Sequence, residues 1–397
     1  MNHISSNLVQ PRNGNGRHCT IAFDTWPLLS RFRNNGIYVY ARNLLSYFRE
    51  VAQEGEMHFR PLVSSTVASD ANQFTATDGF RPYNTTLLRI GRLWRYGGAC
   101  WSARKSKADV LFCPSANTIP IGGLIPAVTT IHDIIPVVFP NVPRAQALKR
   151  EFAMCARLSR AVITDSQHSK QDLVNVFRLP ESKVHVVYLA CDNKIFNNDP
   201  VDPSERDPLL NKLGIRQPFI LHHGRIQERK NLERLINAYR ALVGNNKNLD
   251  TALVLVGENG WGHERIVAAA SHCQPPERVV FTGPLSDPEL AILLKCATLV
   301  VIPSLYEGFC LPLLEAMACG APVICSNSSC LPEVSGGELL YFDPYSVEDM
   351  AARIEEVLEH NDVRQRLASA GKARASTFNW QRCAEQTLQV LRSATAS

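Results

Sequence analysis

The 397-residue chain contains no stretch of about 18 uninterrupted apolar residues, the length a helix needs to cross a bilayer, so no membrane-spanning helix is expected. It has no Asp-x-Asp pair of the kind that holds a divalent cation against a pyrophosphate. No strand-like segment runs into Gly-x-Gly-x-x-Gly. The run VGENGWG (256–262) carries glycines at the wrong spacing, which argues against a dinucleotide-dependent dehydrogenase. The twelve cysteines, Cys19, Cys113, Cys155, Cys296 and Cys325 among them, stand singly in apolar segments. Metal sites and disulfide frameworks use paired spacings, so buried reduced thiols in a cytosolic protein fit better. His222 and His223 are adjacent on a strand-like segment, point to opposite faces and cannot share a metal. The start, MNHISSNLVQPRNGNGRH, lacks the apolar core of a secretion signal and reads as a flexible polar tail over residues 1–17.

What is present describes an ordinary globular protein long enough for two domains, with 45% hydrophobic and 20% charged residues. Charge is uneven. Residues 1–190 hold 22 Lys and Arg against 12 Asp and Glu, whereas the remainder holds 20 against 25. The densest basic patch, residues 89–107 (RIGRLWRYGGACWSARKSK), has six basic residues, no acid, two tryptophans and a tyrosine. Such a stretch suits either an anionic bilayer surface or a surface helix, and Gly97-Gly98 interrupts any long amphipathic face. The patch is short and no recognition motif accompanies it, so nucleic acid is not an expected partner.

Two series of short β-branched runs alternate with helix-compatible segments. The first comprises Cys19–Asp24, Phe59–Val63, Val110–Pro114, Ala127–His132, Ala161–Thr164 and Val184–Leu189. The second comprises Phe219–His222, Leu253–Val256, Val279–Thr282, Leu299–Pro303, Val323–Cys325 and Leu340–Phe342. Alternation of this kind predicts parallel sheets, and two series predict two doubly wound, Rossmann-like domains, at 18–195 and 214–375. The Asp- and Pro-rich stretch 196–213 reads as the linker. Residues 376–397 read as a closing helix.

In the second series, the strand TLVVIPS (298–304) leads into YEGFCLPLLEAMACG, in which Glu307 and Glu315 flank a turn and the start of a helix. Pro312 suits the first helical turn and Gly320 the end. No Ser, Thr, Asp or Asn stands between Glu307 and Pro312 to cap that helix, so the amides of Gly308, Phe309, Cys310 and Leu311 suit a phosphate. Two acceptor-only carboxylates beside an anion site suit a ligand rich in hydroxyls. A nucleotide sugar meets both demands. At the first strand of the same series, Gly224-Arg225 precedes Lys230, and both cations can reach one set of phosphates. The first series offers His132-Asp133 at a strand end, Gly36 opening the first helix, and Ser166 as a helix cap.

The string EGFCLPLLE resembles the Glu, seven residues, Glu motif of the family-4 retaining glycosyltransferases, departing once, with Cys310 where glycine is common. GR-x4-K at Gly224, Arg225 and Lys230, and HDIIP at 132–136, match further elements of that family in the same order. The resemblance covers roughly residues 20–375 and implies the GT-B fold, whose two parallel sheets face a central cleft and whose last helix crosses back to the first domain. It implies that Arg225 and Lys230 bind the pyrophosphate, Glu315 the ribose hydroxyls, Glu307 the donor-sugar hydroxyls, and that His132 faces the donor sugar. Leu285 would adjoin the base. His132, Arg225, Lys230 and Glu307 would carry catalysis. Fixed cations can stabilise the departing diphosphate without a metal, so neither metal nor cofactor is expected.

The pattern looks most like bacterial mannosyltransferases of polysaccharide assembly, which makes GDP-mannose the first expectation for the donor and a saccharide or lipid-linked saccharide the acceptor. A cytoplasmic location follows, at the inner face of the membrane if the 89–107 patch docks there. Two rivals stand beside this reading: a GT-B nucleotide-sugar epimerase, and a non-catalytic nucleotide-sugar-binding scaffold.

Overall fold

A computed structural model describes residues 18–29, 36–55, 57–63, 76–77, 79–87, 90–245, 250–273, 275 and 278–395. The expected tail, residues 1–17, lies outside them. The chain divides into unit 1, residues 1–189 with 380–397, and unit 2, residues 190–379.

Unit 1 contains β1 (Thr20–Asp24), β2 (His58–Val63), β3 (Tyr83–Asn84), β4 (Val110–Cys113), β5 (Ala127–Thr130), β6 (Ala161–Thr164) and β7 (Val184–Val186). They form one parallel sheet in the order β3-β2-β1-β4-β5-β6-β7. Every residue of β1, β4, β5 and β6 is buried, as expected for strands covered on both faces. β3 spans only two residues, too few to show a period, and was not foreseen. The helix Gly36–Gln53 buries Tyr40, Ala41, Leu44, Leu45 and Phe48 along one face, a spacing of three to four residues. The last helix, Trp380–Thr395, packs on that helix within unit 1.

Unit 2 contains β8 (Phe219–His223), β9 (Ala252–Val256), β10 (Val279–Gly283), β11 (Leu299–Ile302), β12 (Val323–Ser326) and β13 (Leu340–Phe342). The sheet is again parallel, in the order β10-β9-β8-β11-β12-β13. Strand order reverses between β8 and β11, and a doubly wound sheet opens a crevice at the carboxyl ends of such a pair. The two loops singled out in the sequence follow these two strands.

The stretch expected as a linker is partly helical: Pro203–Leu213 folds into a helix of unit 2. Asp202 and Pro203 are start signals rather than breakers, and the helix also tolerates Pro208 in its interior. The Asp202 side chain accepts from the Ser204 amide at 2.8 Å, Pro203 occupies the first turn, and Gly214 ends the helix with φ at 66°.

Candidate active site

The loop after β11 carries Glu307 into the interior, where it is 5% exposed. Its carboxylate lies 2.6 Å from the Arg229 guanidinium and 2.6 Å from the Lys230 ammonium. Burial works against the charged carboxylate, but Arg229 and then Lys230 outweigh it and hold the pKa down at about 2. Two cations share one anion, so the cluster keeps a surplus positive charge. The loop is fixed from β12 and its extension: the hydroxyls of Ser326 and Ser328 donate to the carbonyls of Ser304 and Leu305, and the Ser329 hydroxyl accepts from the Glu307 amide at 2.9 Å.

The helix that follows, Leu311–Ala318, starts with Pro312 in its first turn and has no side-chain cap at Cys310. Cys310 adopts the left-handed backbone, φ 75°, that the glycine of the resembled motif reaches without cost. Burial first, and then the Glu307 charge, push its thiol up to about 12. It stays protonated and cannot serve as a nucleophile.

Glu315 lies one turn into this helix, its Oε2 3.7 Å from His223 Nδ1. Burial, with a smaller contribution from Asp287, raises the Glu315 pKa to about 8. His223 is depressed to about 4, chiefly by burial, and its Nε2 donates to the Pro312 carbonyl at 2.9 Å. At neutral pH the pair is therefore an uncharged contact, not an ion pair. His222 turns to the other face and bonds the Val301 carbonyl. Among the described residues no group of three or more His, Cys, Asp or Glu is arranged to hold a metal ion.

The loop after β8 supplies Gly224, Arg225 and the short turn Glu228–Lys230. Gly224 has φ 131°, and a Cβ there would meet the Lys230 Nζ at 3.3 Å, so the glycine lets the ammonium close on the backbone. The structure brings Lys230 and Glu307 together. Arg225 is not part of that cluster: its side chain is 58% exposed and pairs with Glu258 at 3.5 Å. Arg229 and Lys230 each contact one Glu307 oxygen, and each oxygen keeps a lone pair that can accept from a hydroxyl. Sequence reasoning missed Arg229, the middle residue of the charged run Glu228–Lys230, and the run Ser326–Ser329 that pins the loop. Leu285 is half-buried in the turn after β10. This turn is tied to the end of β9 by the Gly257 amide, which donates to the Gly283 carbonyl at 3.0 Å.

In unit 1, His132 Nδ1 lies 2.7 Å from Asp165 and Nε2 3.1 Å from the Pro114 carbonyl. Both partners can accept, so the contacts favour a proton on each ring nitrogen. Burial opposes that charge, yet Asp165 overrides it and raises the pKa. Asp165 thus orients His132, while Asp133 accepts from the Ile135 amide and caps the turn. Tyr40 meets the imidazole edge-to-face at 5.0 Å between centroids. Gly36 opens its helix, but the turn before it lies outside the described residues. Ser166 caps the helix Gln167–Phe177 through the Ser169 amide.

The basic patch folds as two short helices, Gly91–Arg95 and Gly98–Lys105. Gly97 turns between them with φ 107°, and a Cβ on Gly98 would strike the Leu93 carbonyl at 2.8 Å. Trp94 is fully buried, whereas Leu93 and Trp101 are 54% and 45% exposed. Arg89 lies outside the described residues. Among the described residues no helix is long and apolar enough to cross a membrane.

Residues 205–374 match the family described as Glycosyl transferases group 1, and residues 35–194 match Glycosyltransferase Family 4. The O-antigen chain mannosyltransferase B of Escherichia coli is 31% identical over 332 residues, 83% of this chain and 86% of that protein. The serotype-specific mannosyltransferase WbdA of Escherichia coli is 30% identical over 267 residues, 66% of this chain but only 33% of that longer protein. In fold, the structure of Anabaena HepE in complex with UDP-glucose is similar, with a TM-score of 0.72 at 20% identity, covering 95% of this chain and 100% of that one. Fold and site together define a glycosyltransferase of the GT-B class. The chain belongs to the family-4 glycosyltransferases.

Proposed function

We propose that this glycosyltransferase is a retaining, metal-independent enzyme that moves a mannose from GDP-mannose to a hydroxyl of a saccharide or lipid-linked saccharide in polysaccharide or O-antigen assembly. The observation that carries the proposal is the surplus of cationic charge beside an uncapped helix start at the switch point between β8 and β11. Departure of a nucleoside diphosphate loads charge onto its β-phosphate. Fixed cations and helix N-terminal amides stabilise that charge where it develops. In this reading Arg225 exchanges Glu258 for the pyrophosphate, Lys230 donates to the same phosphates from its place on Glu307, and Glu307 positions both Lys230 and Arg229. Glu315 accepts from the ribose, the amides of Gly308 to Leu311 face phosphate and sugar, and Leu285 adjoins the base. His132 faces the donor sugar. The Escherichia coli relatives favour mannose. With no nucleophile assigned, the leaving phosphate assists deprotonation of the acceptor on the same face.

The exposed Leu93 and Trp101, beside Arg92, Arg104, Lys105 and Lys107, support a second part of the reading, peripheral docking on an anionic membrane at its cytoplasmic face. Leu93→Asp with Trp101→Asp should then abolish co-sedimentation with anionic vesicles while leaving the melting temperature unchanged.

The deciding experiment incubates the purified chain with GDP-mannose, UDP-glucose, UDP-N-acetylglucosamine and dTDP-rhamnose and scores thermal stabilisation, then transfer. GDP-mannose should stabilise most, and Arg225→Ala should remove the shift. Turnover of the donor without acceptor would favour an epimerase, and tight binding without transfer to any acceptor a scaffold.

A further inference from the structure

Unit 1 has its own switch point, between β1 and β4, and a cavity of about 850 Å³ opens there, within the size range of small-molecule sites. Its walls come from the turn after β1, the short helix Gly91–Arg95, the loop after β4 and the start of the helix Ala145–Leu158. A single fully buried carboxylate fixes three of them. Asp24, the last residue of β1, accepts from the Trp26 amide and the Trp94 indole, each at 3.0 Å, and from the Thr118 hydroxyl. Gly91 lets the short helix close on Trp26, since a Cβ there would lie 2.6 Å from the indole ring.

The lining is cationic by construction. Glu151, 5% exposed, is held by the Arg95 and Arg144 guanidiniums and by the Tyr96 hydroxyl. Arg95 is fixed further by its Nε bond to the Asn117 carbonyl at 2.7 Å. Arg144 sits in the left-handed region, φ 63°, a conformation that costs a non-glycine residue energy and gathers at binding sites. Arg92 completes the lining and has no ion pair among the described residues. Three guanidiniums against one carboxylate leave two surplus charges. Arginine forks match phosphate oxygens, and the exposed Tyr96 adds aromatic ring surface over the buried Trp26. The cavity also lies one strand from His132, whose ring bonds the carbonyl of the first residue after β4.

We infer that this cavity binds the phosphate-bearing part of a saccharide, with Arg92, Arg95 and Arg144 on the phosphate and Tyr96 against the sugar. That this ligand is the acceptor rests on the transferase reading; that it binds does not. The phosphate belongs either to a lipid-linked diphosphate, whose chain would lie over the neighbouring exposed Ile90 and Leu93, or to a soluble phosphosugar.

Calorimetric titration of the full chain tests this with mannose 6-phosphate, methyl α-mannoside and mannosyl farnesyl diphosphate, all without nucleotide. The phosphosugar should bind at least about tenfold more tightly than the neutral glycoside. Arg92→Glu with Arg144→Glu should remove that preference and leave glycoside binding within about twofold. If the double variant does not fold, Arg92→Ala, at an exposed position, should still weaken the phosphosugar by about threefold. Tighter binding of the farnesyl-linked probe assigns the phosphate to a lipid-linked ligand, and equal binding to a soluble one. Equal affinities for phosphosugar and glycoside, no binding of either phosphate-bearing probe at millimolar concentration, or a preference that survives charge reversal overturns the inference. Phosphosugar binding that depends on these arginines in a chain no nucleotide sugar stabilises would sink the transferase reading and leave this one standing.

Discussion

Glu307 keeps its charge in acid because Arg229 and Lys230 stand against it, and this makes its contribution to stability readable from pH. Its carboxyl falls from 4.5 to about 2 on folding. The stabilisation, of the order of 3 kcal/mol, is fully present above about pH 4.5 and is lost as pH falls toward 2. Glu307→Gln leaves the buried Lys230 and the partly buried Arg229 facing a neutral amide and should cost about 3–5 kcal/mol in urea unfolding at neutral pH. A loss below about 1 kcal/mol would show that the cluster does not hold the loop. Cys310 allows a cleaner comparison. Cys310→Ala and Cys310→Gly both lose the thiol, but only glycine suits φ 75°. The glycine variant should unfold about 1 kcal/mol later than the alanine variant, and equal stabilities would mean the left-handed backbone is unstrained. At this scale the sequence exposed Glu307, Glu315, Lys230 and Gly224 through spacing. It hid Arg229 and Asp165, because which of several neighbouring charges turns inward is decided by packing, not by position in the run.

The strand-turn-helix elements on which those residues sit were largely legible, since buried parallel strands advertise themselves as β-branched runs and turns as glycine and proline. β3 was too short to register. The helix Pro203–Leu213 was hidden because Asp202 and Pro203 start a helix where such residues usually mark a loop, and because Pro208 sits inside it. The helix Leu311–Ala318 makes the sharpest prediction at this level. Glu315, raised from 4.5 to about 8 by burial near its start, is a carboxylic acid at neutral pH. Its effect on folding has the opposite sign to that of Glu307: stability is fully present below about pH 4.5 and declines as pH rises through about 8. A ribose that donates to the carboxylate must displace the proton. Nucleotide binding near pH 7 should therefore release a proton, seen as a heat that scales with buffer ionisation enthalpy, and Glu315→Gln should abolish that dependence. A buffer-independent heat in the unaltered chain would count against the ribose assignment.

Among the described residues, two parallel sheets of seven and six strands, each with one reversal of strand order, place chemistry-bearing residues at carboxyl edges. In unit 1 these are His132 and the arginine-lined cavity, and in unit 2 the Glu307 cluster. Alternating apolar periods announced the sheets, but not which strands stand at each reversal, since strand order follows from long-range pairing that no local pattern carries. The cavity of unit 1 went unseen for that reason: Trp26, Asn117 and Arg144 are far apart in sequence and meet only once β1 and β4 pair. The central claim remains the diphosphate site of unit 2. Calorimetric titration of the full chain with GDP against GMP, and UDP against UMP so that the base does not decide, tests it most directly. The account predicts that the preferred diphosphate binds about tenfold or more tightly than its monophosphate, and that Arg225→Ala brings the two within about twofold. Equal affinities, or a preference that persists in Arg225→Ala, would contradict it.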